Sequence, residues 1–490
     1  HHHHHHDHHH HHHHHHHCPL PPLLITLLAS LVLPRTSATA ADSILEKVRA
    51  AVTPILQRRA HEFNSSFSFG FSNEEGSISV VAGVEDPWAQ SPMTETTMVP
   101  AGSTTKSWTA VGVLQAAEQG KLKLSDTIAQ YLDPILGRLN STSLSQLWGE
   151  GVLDNCTIDH LLSMKAGIQD YNNTAILLET LYAKIPIDIT PIDFINMVDK
   201  TLVCPVGSCV YYSSINYMML GLILVQIHGL NNWEDFNQKS IIPDALADRY
   251  KHVIFPLSGA CSKHPNVSHQ YWHYSQSYSV IYEYNMFVDL YEESCLNGWT
   301  CGNIAASGES LANFWYDLGS LKLVNNASFQ SMVEFQPLVN DWCPGCYYGK
   351  GLILIPGEWK PMDPNVPWQE TALLGHPGED WGSGTSPICG GNAKYKFGVC
   401  MAYNSVFGMN CSLPDIRNNR YMNPDTGCEV YAAVLSVVTG KPNYLNCTRD
   451  EYKPPGPIPI CEWKHRLERE PSGFQITGDK RLLERIPDVV

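Results

Sequence analysis

Strand-like segments lie near the two ends of this 490-residue chain, and a long helical stretch separates them. Residues 66–71 and 77–84 have a β-like pattern on either side of the turn-like segment 73–76, which predicts a hairpin. β signals return from Tyr347 onwards, at residues 349–356, around His376 and at 396–405. The middle of the chain, from about 125 to 320, has mainly helical patterns with polar, cysteine-bearing loops. This order predicts an α+β layer that a helical insertion interrupts.

Three helices are predicted around these strands. Residues 43–62 have helical spacing, with Ile44, Val48, Val52, Ile55 and Leu56 on one side. A second helix begins near Ser103 and ends at Gly120, which suits the first position after a helix end. A final helix covers residues 429–439.

The two ends of the chain differ from the rest in composition. Residues 1–17 are histidine except for Asp7, residues 19–33 are apolar and proline-rich, and Ala38-Thr39-Ala40 is a small-residue site. This pattern predicts a signal peptide cleaved near Ala40, preceded by low-complexity sequence or a tag. A proline-rich, charged extension begins after residue 441. We expect Cys447 and Cys461 to anchor this loosely ordered segment. The predicted divisions are therefore an N-terminal segment at 1–40, one large domain at 41–440, and an extension at 441–490.

Charge and cysteine content indicate a secretory product. The formal net charge is −16, which repels phosphate backbones and argues against nucleic acid as a partner. Of the 15 cysteines, Cys18 precedes the predicted cleavage site, and the other 14 allow up to seven disulfides. Eight N-x-S/T sequons occur, at Asn64, Asn140, Asn155, Asn172, Asn266, Asn326, Asn410 and Asn446. The longest later apolar stretch, 217–227, is too short to span a bilayer, so we expect a secreted glycoprotein without a stable membrane span.

The motif that carries chemistry is Ser103-Thr104-Thr105-Lys106. A spacing of three on a helix brings the serine hydroxyl and the lysine amine to one face. A serine needs a base within hydrogen-bond reach to act as a nucleophile, and a buried lysine can serve as that base. Ser103 is the one serine of the chain with lysine three positions later. The alternative is an ordinary helix N-terminus with a solvated lysine.

Five blocks resemble the serine β-lactamase/penicillin-binding-protein family, closest to its class C and D-aminopeptidase/esterase-like branch. They are the approach to S-x-x-K at 95–110, CTIDHLLSMKAGIQDY at 156–171, CPVGSCVYYSSINYMMLG at 204–221, CGNIAASGESLANFWYDL at 301–318, and LGHPGEDWGS at 374–383. They occur in the family's order and span most of residues 66–439. The resemblance implies an antiparallel sheet flanked by helices, with an all-helical insertion at about 125–320.

The resemblance also implies the roles of individual residues. Ser103 would be acylated, Lys106 would help to remove its proton, and Tyr212 would relay protons to the leaving group and to water. The oxyanion hole would consist of the backbone N–H groups of Ser103 and Glu379. His376 and Gly378 would mark a core strand, and the glycine would let the substrate backbone approach. The alternatives are a core tyrosine at 212 and a satisfied strand histidine at 376.

Departures from the family pattern shape the expected substrate. Ser214 stands where asparagine is usual, and Pro377 stands where threonine is usual, which favours a strand edge or an altered groove. His376 replaces lysine, and Glu379 and Asp380 follow. An acidic pair there would repel the carboxylate of β-lactams. The sequence therefore predicts a serine hydrolase acting on small ester or peptide-like substrates, with poor β-lactam turnover, whereas a non-catalytic extracellular binding or structural protein is the alternative.

Other chemistries have weaker support. Cys343-Pro344-Gly345-Cys346 follows Trp342 like a thioredoxin motif, but a β-like run comes almost at once, so we predict a structural disulfide loop rather than a redox site. The chain has no G-x-S-x-G and no H-E-x-x-H. The sequence thus calls for neither a metal nor an organic cofactor.

Overall fold

The computed structural model describes residues 43–171, 187–273, 286–341, 343–354, 361–385, 387–405, 422–442, 444–445, 447 and 462–464. The predicted histidine tract and signal peptide lie outside these residues, as does most of the C-terminal extension. The sequons at Asn172, Asn410 and Asn446 and the predicted anchor at Cys461 also lie outside them.

The described residues contain helices, strands and short 3-10 turns. The α-helices are α1 (Ile44–Phe63), α2 (Thr105–Glu118), α3 (Ala129–Asn140), α4 (Leu144–Trp148), α5 (Ile158–Leu162), α6 (Pro191–Met197), α7 (Ser214–Ile227), α8 (Gly308–Gly319), α9 (Asn326–Met332) and α10 (Met422–Thr439). The strands are β1 (Phe67–Asn73), β2 (Gly76–Ala82), β3 (Val84–Asp86), β4 (Ser91–Pro92), β5 (Val99–Pro100), β6 (Val253–Ile254), β7 (Tyr271–His273), β8 (Met286–Asp289), β9 (Ala305–Ala306), β10 (Gln336–Pro337), β11 (Tyr347–Tyr348), β12 (Ile353–Leu354), β13 (Leu374–Gly375), β14 (Cys389–Asn392), β15 (Phe397–Tyr403) and β16 (Glu462–Lys464). The 3-10 turns are Gly102–Thr104, Trp233–Asp235, Gln238–Ile241, Asp244–Tyr250, Cys261–Lys263, Trp299–Cys301 and Trp368–Glu370.

Strands from both ends of the chain form one eight-stranded antiparallel sheet. Its order is β10-β11-β12-β13-β14-β15-β1-β2, so the early hairpin joins the late strands where β1 pairs with β15. Alternation along β1 explains its two faces: Phe67, Phe69 and Phe71 are buried with α1 and α10, and the residues between them face α8. The predicted α+β fold is confirmed, with helices on both faces of an antiparallel sheet.

The helical part of the chain is built around α7. Every residue of α7 from Ser214 to Val225 is buried, and α2, α3 and α5 pack against it. A helix that is apolar on all sides must be buried by other elements on every face. The segment 125–320 is not purely helical, because it also contains the short strands β6 to β9. Within the described ranges, no helix is long and apolar enough to cross a membrane.

Most predicted elements occur close to their expected positions. The hairpin is β1–β2, the first helix is α1, and α2 ends just before Gly120, whose φ of 70° closes the helix. The last helix begins at Met422, seven positions before the predicted 429. Its first turn, Met-Asn-Pro-Asp, has none of the apolar spacing on which the prediction depended.

Disulfides agree with an oxidising compartment. The described pairs are Cys204–Cys209, Cys261–Cys295, Cys343–Cys346, Cys389–Cys400 and Cys428–Cys447. The third pair is the loop disulfide that the sequence predicts, and the fifth ties the start of the C-terminal extension to α10. Cys156 and Cys301 are unpaired and buried, so the upper limit of seven disulfides is not reached.

A buried carboxylate, Asp317 on α8, joins the sheet layer to the loop before β6. It has no exposed side-chain surface and accepts bonds from Arg249 Nε at 2.9 Å, Tyr250 Oη at 2.8 Å and Lys322 Nζ at 3.0 Å. Asp317→Ala should lower the free energy of unfolding by about 3 kcal/mol, because it leaves buried donors and a cation without their anion. Urea unfolding measures this loss. Lys322→Ala is the control, with a loss below about 1 kcal/mol, because Lys322 is 40% exposed.

Candidate active site

Ser103 lies in the 3-10 turn that leads into α2. Gly102 before it has a φ of 51°, and a Cβ there would lie 2.3 Å from the carbonyl oxygen of Glu379, so glycine is required on both counts. This geometry sets Ser103 at the positive end of α2 with part of its surface open to solvent. The expected helix start is therefore confirmed, one short turn before the regular helix.

Lys106 is fully buried one turn later and points back to the serine. Its Nζ is 2.8 Å from Ser103 Oγ and 3.1 Å from the carbonyl oxygen of Cys301. Burial disfavours the ammonium, but the interactions of Lys106 with Tyr212, Cys301 and Asp170 outweigh this effect and raise the pKa of its amine. The solvated lysine of the alternative interpretation is therefore excluded.

Tyr212 approaches the same hydroxyl from the turn before α7. Its Oη is 2.9 Å from Ser103 Oγ, and the Lys106 ammonium lies 4.9 Å from the centre of its ring. Asn340 holds the backbone at this position, since its Oδ1 accepts from the Tyr212 N–H at 2.7 Å and its Nδ2 donates to the Tyr212 carbonyl at 3.3 Å. Burial raises the pKa of the Tyr212 phenol, although Lys106 opposes the shift. The ring of Tyr212 is thus buried in the core, and its hydroxyl reaches Ser103.

Ser214 begins α7 and is buried, as the resemblance implies for a residue beside the lysine. Its backbone N–H donates to Asp170 Oδ1 at 3.0 Å, and so does the N–H of Tyr171. Burial raises the pKa of the Asp170 carboxyl to about 6, while Lys106 lowers it. A carboxylate therefore stands beside the position where the usual asparagine is missing.

His376, Pro377 and Gly378 follow the strand instead of belonging to it. The β ladder of β13 ends at Gly375, so Pro377 lies outside the ladder and costs no strand hydrogen bond. His376 and Gly378 therefore lie after the core strand on which the family resemblance places them. Thr104 anchors the segment, because its Oγ1 donates to the His376 carbonyl at 2.9 Å.

Gly378 packs closely against the segment that carries Ser103. A Cβ at Gly378 would lie 2.1 Å from the Ala101 carbonyl oxygen and 2.6 Å from the Ser103 nitrogen. The missing side chain thus makes room for the backbone of Ser103. A larger residue at 378 would push the 378–385 hairpin away from Ser103.

Glu379 directs its backbone N–H away from the hairpin. The N–H of Thr385 donates to the Gly378 carbonyl, and the N–H of Asp380 donates to the Ser383 carbonyl. Glu379 and Gly384 are therefore a non-hydrogen-bonded pair, so the Glu379 N–H and C=O point to the other side of the hairpin. Gly102 lies on that side, which brings the Glu379 backbone next to Ser103.

The charges around this hairpin are unusual for binding a carboxylate. Burial and Lys106 lower the pKa of His376 to about 3, so its imidazole is neutral at physiological pH. The side chain of Glu379 is exposed, but desolvation by the surrounding protein still raises the pKa of its carboxyl. Burial raises the pKa of Asp380 to about 7, and Asn297 donates a hydrogen bond to it. The segment thus presents one neutral ring and two carboxyl groups.

Sequence reasoning missed the groups that hold these residues in place. Asp170, Asn297 and Asn340 come from three loops that are far apart in sequence, and each contacts a site residue or its immediate neighbour. Asp170 belongs to a block that the resemblance already marks, and this was the one available signal. Among the described residues, no group of three or more His, Cys, Asp or Glu side chains could hold a metal ion.

Comparisons with known proteins agree with this fold. The family model described as Beta-lactamase matches residues 66–406. D-amino acid amidase from Ochrobactrum anthropi SV3, in complex with L-phenylalanine amide, has a TM-score of 0.58 at 15% identity, over 80% of this chain and 99% of the other. For a D-stereospecific amidohydrolase from Streptomyces sp. the TM-score is 0.54 at 16% identity, over 73% and 94%. For the octameric penicillin-binding protein homologue from Pyrococcus abyssi it is 0.56 at 20% identity, over 80% and 78%. Since the family match covers more than half of its length, this chain belongs to the Beta-lactamase family.

Proposed function

We propose that this protein is a serine hydrolase that cleaves small amides or esters through an acyl-enzyme on Ser103. The observation that carries the proposal is the position of Ser103 Oγ, which lies 2.8 Å from Lys106 Nζ and 2.9 Å from Tyr212 Oη. A nucleophile with two proton-exchanging groups in reach has the arrangement that acyl transfer requires. No cofactor takes part in this chemistry.

In acylation, Ser103 Oγ attacks the substrate carbonyl carbon and its proton passes to the Lys106–Tyr212 pair. Lys106 and Tyr212 each shift the pKa of the other, so we treat them as one pair whose form with one proton fewer is the base. The oxyanion that develops is stabilised by the N–H groups of Ser103 and Glu379. Collapse of the tetrahedral intermediate expels the amine or alcohol, which takes its proton from Tyr212.

Deacylation reverses these roles. A water molecule attacks the ester carbonyl of Ser103, the Lys106–Tyr212 pair accepts a proton from the water, and Ser103 Oγ leaves as a hydroxyl. Because the same pair serves both half-reactions, loss of either member should slow the whole cycle. The positive end of α2 adds further stabilisation of negative charge at Ser103.

Electrostatics favour substrates without a carboxylate near the scissile bond. Neutral His376 cannot hold an anion as a cation would, and the acidic side chains of Glu379 and Asp380 supply no positive charge in its place. Neutral esters and amides, or substrates that carry an ammonium group, meet no such penalty. The amidase names of two structural neighbours agree with this choice, although their likeness extends to the fold alone.

The non-catalytic alternative depended on Ser214 and Pro377. Pro377 lies outside the β ladder, and Asp170 supplies a polar group beside Ser214. Neither departure separates Ser103 from Lys106 or Tyr212. We therefore favour the catalytic function.

We also propose that the protein is extracellular and glycosylated. Five described disulfides support this localisation. Asn64, Asn155, Asn266 and Asn326 are exposed, as an acceptor for a glycan must be, and Asn140 is half-buried. Treatment of the protein from a secreting eukaryotic host with an N-glycosidase should increase its gel mobility, and an unchanged mobility would contradict the glycosylation proposal.

The substrate preference can be measured with a neutral ester and a β-lactam. We expect p-nitrophenyl butyrate to be hydrolysed with a kcat/KM at least about a hundredfold above that of nitrocefin, because the lack of a cation for the nitrocefin carboxylate beside two acidic side chains costs a few kcal/mol. Glu379→Lys should narrow that ratio by about tenfold, whereas Glu379→Gln should narrow it less. Nitrocefin turnover as fast as ester turnover in the wild type would contradict the preference.

A further inference from the structure

The Lys106 ammonium is fully buried, and its hydrogen bonds go to neutral groups. They reach the Ser103 hydroxyl and the Cys301 carbonyl. A buried ammonium needs an anion nearby, because the loss of hydration costs several kcal/mol. Of the groups whose charge acts on Lys106, Tyr212 and Cys301 are neutral at physiological pH, and the remaining one is the carboxyl of Asp170.

Asp170 is also tied to the backbone that presents the phenol. Its Oδ1 accepts from the Ser214 N–H at 3.0 Å, at the first residue of α7, two positions after Tyr212. The Tyr171 N–H donates to the same oxygen at 3.0 Å. Ser214 is buried and its side chain is shorter than an asparagine, and the Asp170 carboxylate lies at its backbone N–H.

We propose that Asp170 is the positioning residue for the start of α7, in place of the asparagine that Ser214 lacks, and that its carboxylate also acts on the buried Lys106–Tyr212 pair. This inference rests on the proposed function and adds to it a residue that acts through Lys106 and Tyr212. The titratable groups around Asp170 are Lys106 from α2, Tyr211 and Tyr212 before α7, Cys301 from the turn before β9, and its neighbour Tyr171.

The proposal predicts a shift of the pH profile with a definite sign. A negative charge raises the pKa of a neighbouring amine and of a neighbouring phenol, and Asp170 acts in this direction on both Lys106 and Tyr212. Removal of that charge lowers the pKa of the pair. The base form then appears at lower pH, but it is a weaker base, so the plateau rate falls.

Two substitutions separate charge from position. Asp170→Asn keeps an oxygen for the Ser214 N–H and removes the charge. In a plot of kcat/KM against pH for p-nitrophenyl butyrate, we expect the rise toward alkaline pH (the rising limb) to occur about one pH unit lower than in the wild type. The plateau should be about threefold lower. Asp170→Ala also removes the acceptor and should lower the plateau by about a further tenfold. Asp170→Glu should retain the wild-type limb position.

Asp188→Asn is the matched control. Asp188 is another half-buried carboxyl that accepts a backbone N–H, from Gly259 at 2.9 Å, and it is not among the groups that act on Lys106. The rising limb of kcat/KM in Asp188→Asn should lie at the same pH as in the wild type. The rate of Ser103→Ala is subtracted at each pH, and equal rates for that variant and the wild type would refute the proposed function itself.

Two results would overturn the Asp170 proposal while Ser103 remains the nucleophile. One is a pH profile of Asp170→Asn in which kcat/KM rises at the same pH as in the wild type. The other is a loss confined to KM for substrates that carry an ammonium group, with p-nitrophenyl butyrate unaffected, because that pattern assigns Asp170 to substrate binding.

Discussion

Replacement of Ser103 by alanine is expected to lower kcat for p-nitrophenyl butyrate by at least about a thousandfold. Its Oγ is the atom that both Lys106 and Tyr212 reach, and alanine removes the nucleophile while it leaves the backbone N–H groups in place. Steady-state hydrolysis at matched protein concentration measures the loss. Circular dichroism should remain unchanged, because Ser103 is partly exposed and its side chain fills little core volume.

Ser107→Ala is the control for this experiment. Ser107 lies on the same helix, and its hydroxyl donates to the Gly351 carbonyl instead of to the site. We expect its kcat to stay within about threefold of the wild type. If Ser103→Ala and Ser107→Ala are equally active, Ser103 is not the nucleophile.

Replacement of Lys106 by methionine should lower kcat/KM by about a thousandfold and leave the fold intact. Methionine fills the volume of the lysine stem without placing a charge in the interior. Asp170 then loses its counter-charge and becomes protonated more readily, which limits the cost in stability. Ester hydrolysis and urea unfolding measure the two quantities.

Lys350→Met provides the comparison, because Lys350 is the other strongly buried lysine among the described residues. Its ammonium pairs with Glu334 at 2.9 Å and with Asp159 at 3.3 Å, and neither belongs to the site. This variant should lose about 1 kcal/mol of stability and keep wild-type kcat/KM. Equal losses of activity in the two variants would show that Lys106 acts only through the fold.

The sequence predicts the parts of the fold that local patterns specify. β1 and β2 follow from their β-like residues around a turn, and α2 follows from Ser103 and Gly120 at its two ends. The end of β13 could not be predicted, because its hydrogen bonding to β14 determines it. The unpaired cysteines could not be predicted either, because a sequence does not distinguish a buried free thiol from a disulfide-bonded cysteine.

For the site, the sequence supplied the groups that react but not those that hold them. Ser103 and Lys106 are neighbours on one helix, so their spacing alone predicts contact. Tyr212 required the family resemblance, because 109 positions separate it from Ser103. Asp170 and Asn340 act on backbone groups of the segment around Tyr212, and a sequence does not show which carboxyl or amide reaches a distant N–H.

The acyl-enzyme on Ser103 can be observed directly. The protein is mixed with p-nitrophenyl butyrate, quenched with acid within the first turnover, and digested for mass spectrometry. We predict a butyryl group on the peptide that contains Ser103, present in the wild type, increased when deacylation is slowed, and absent in Ser103→Ala. A wild-type enzyme that turns over the ester with no adduct, or with the adduct on another residue, would contradict Ser103 as the acylated nucleophile.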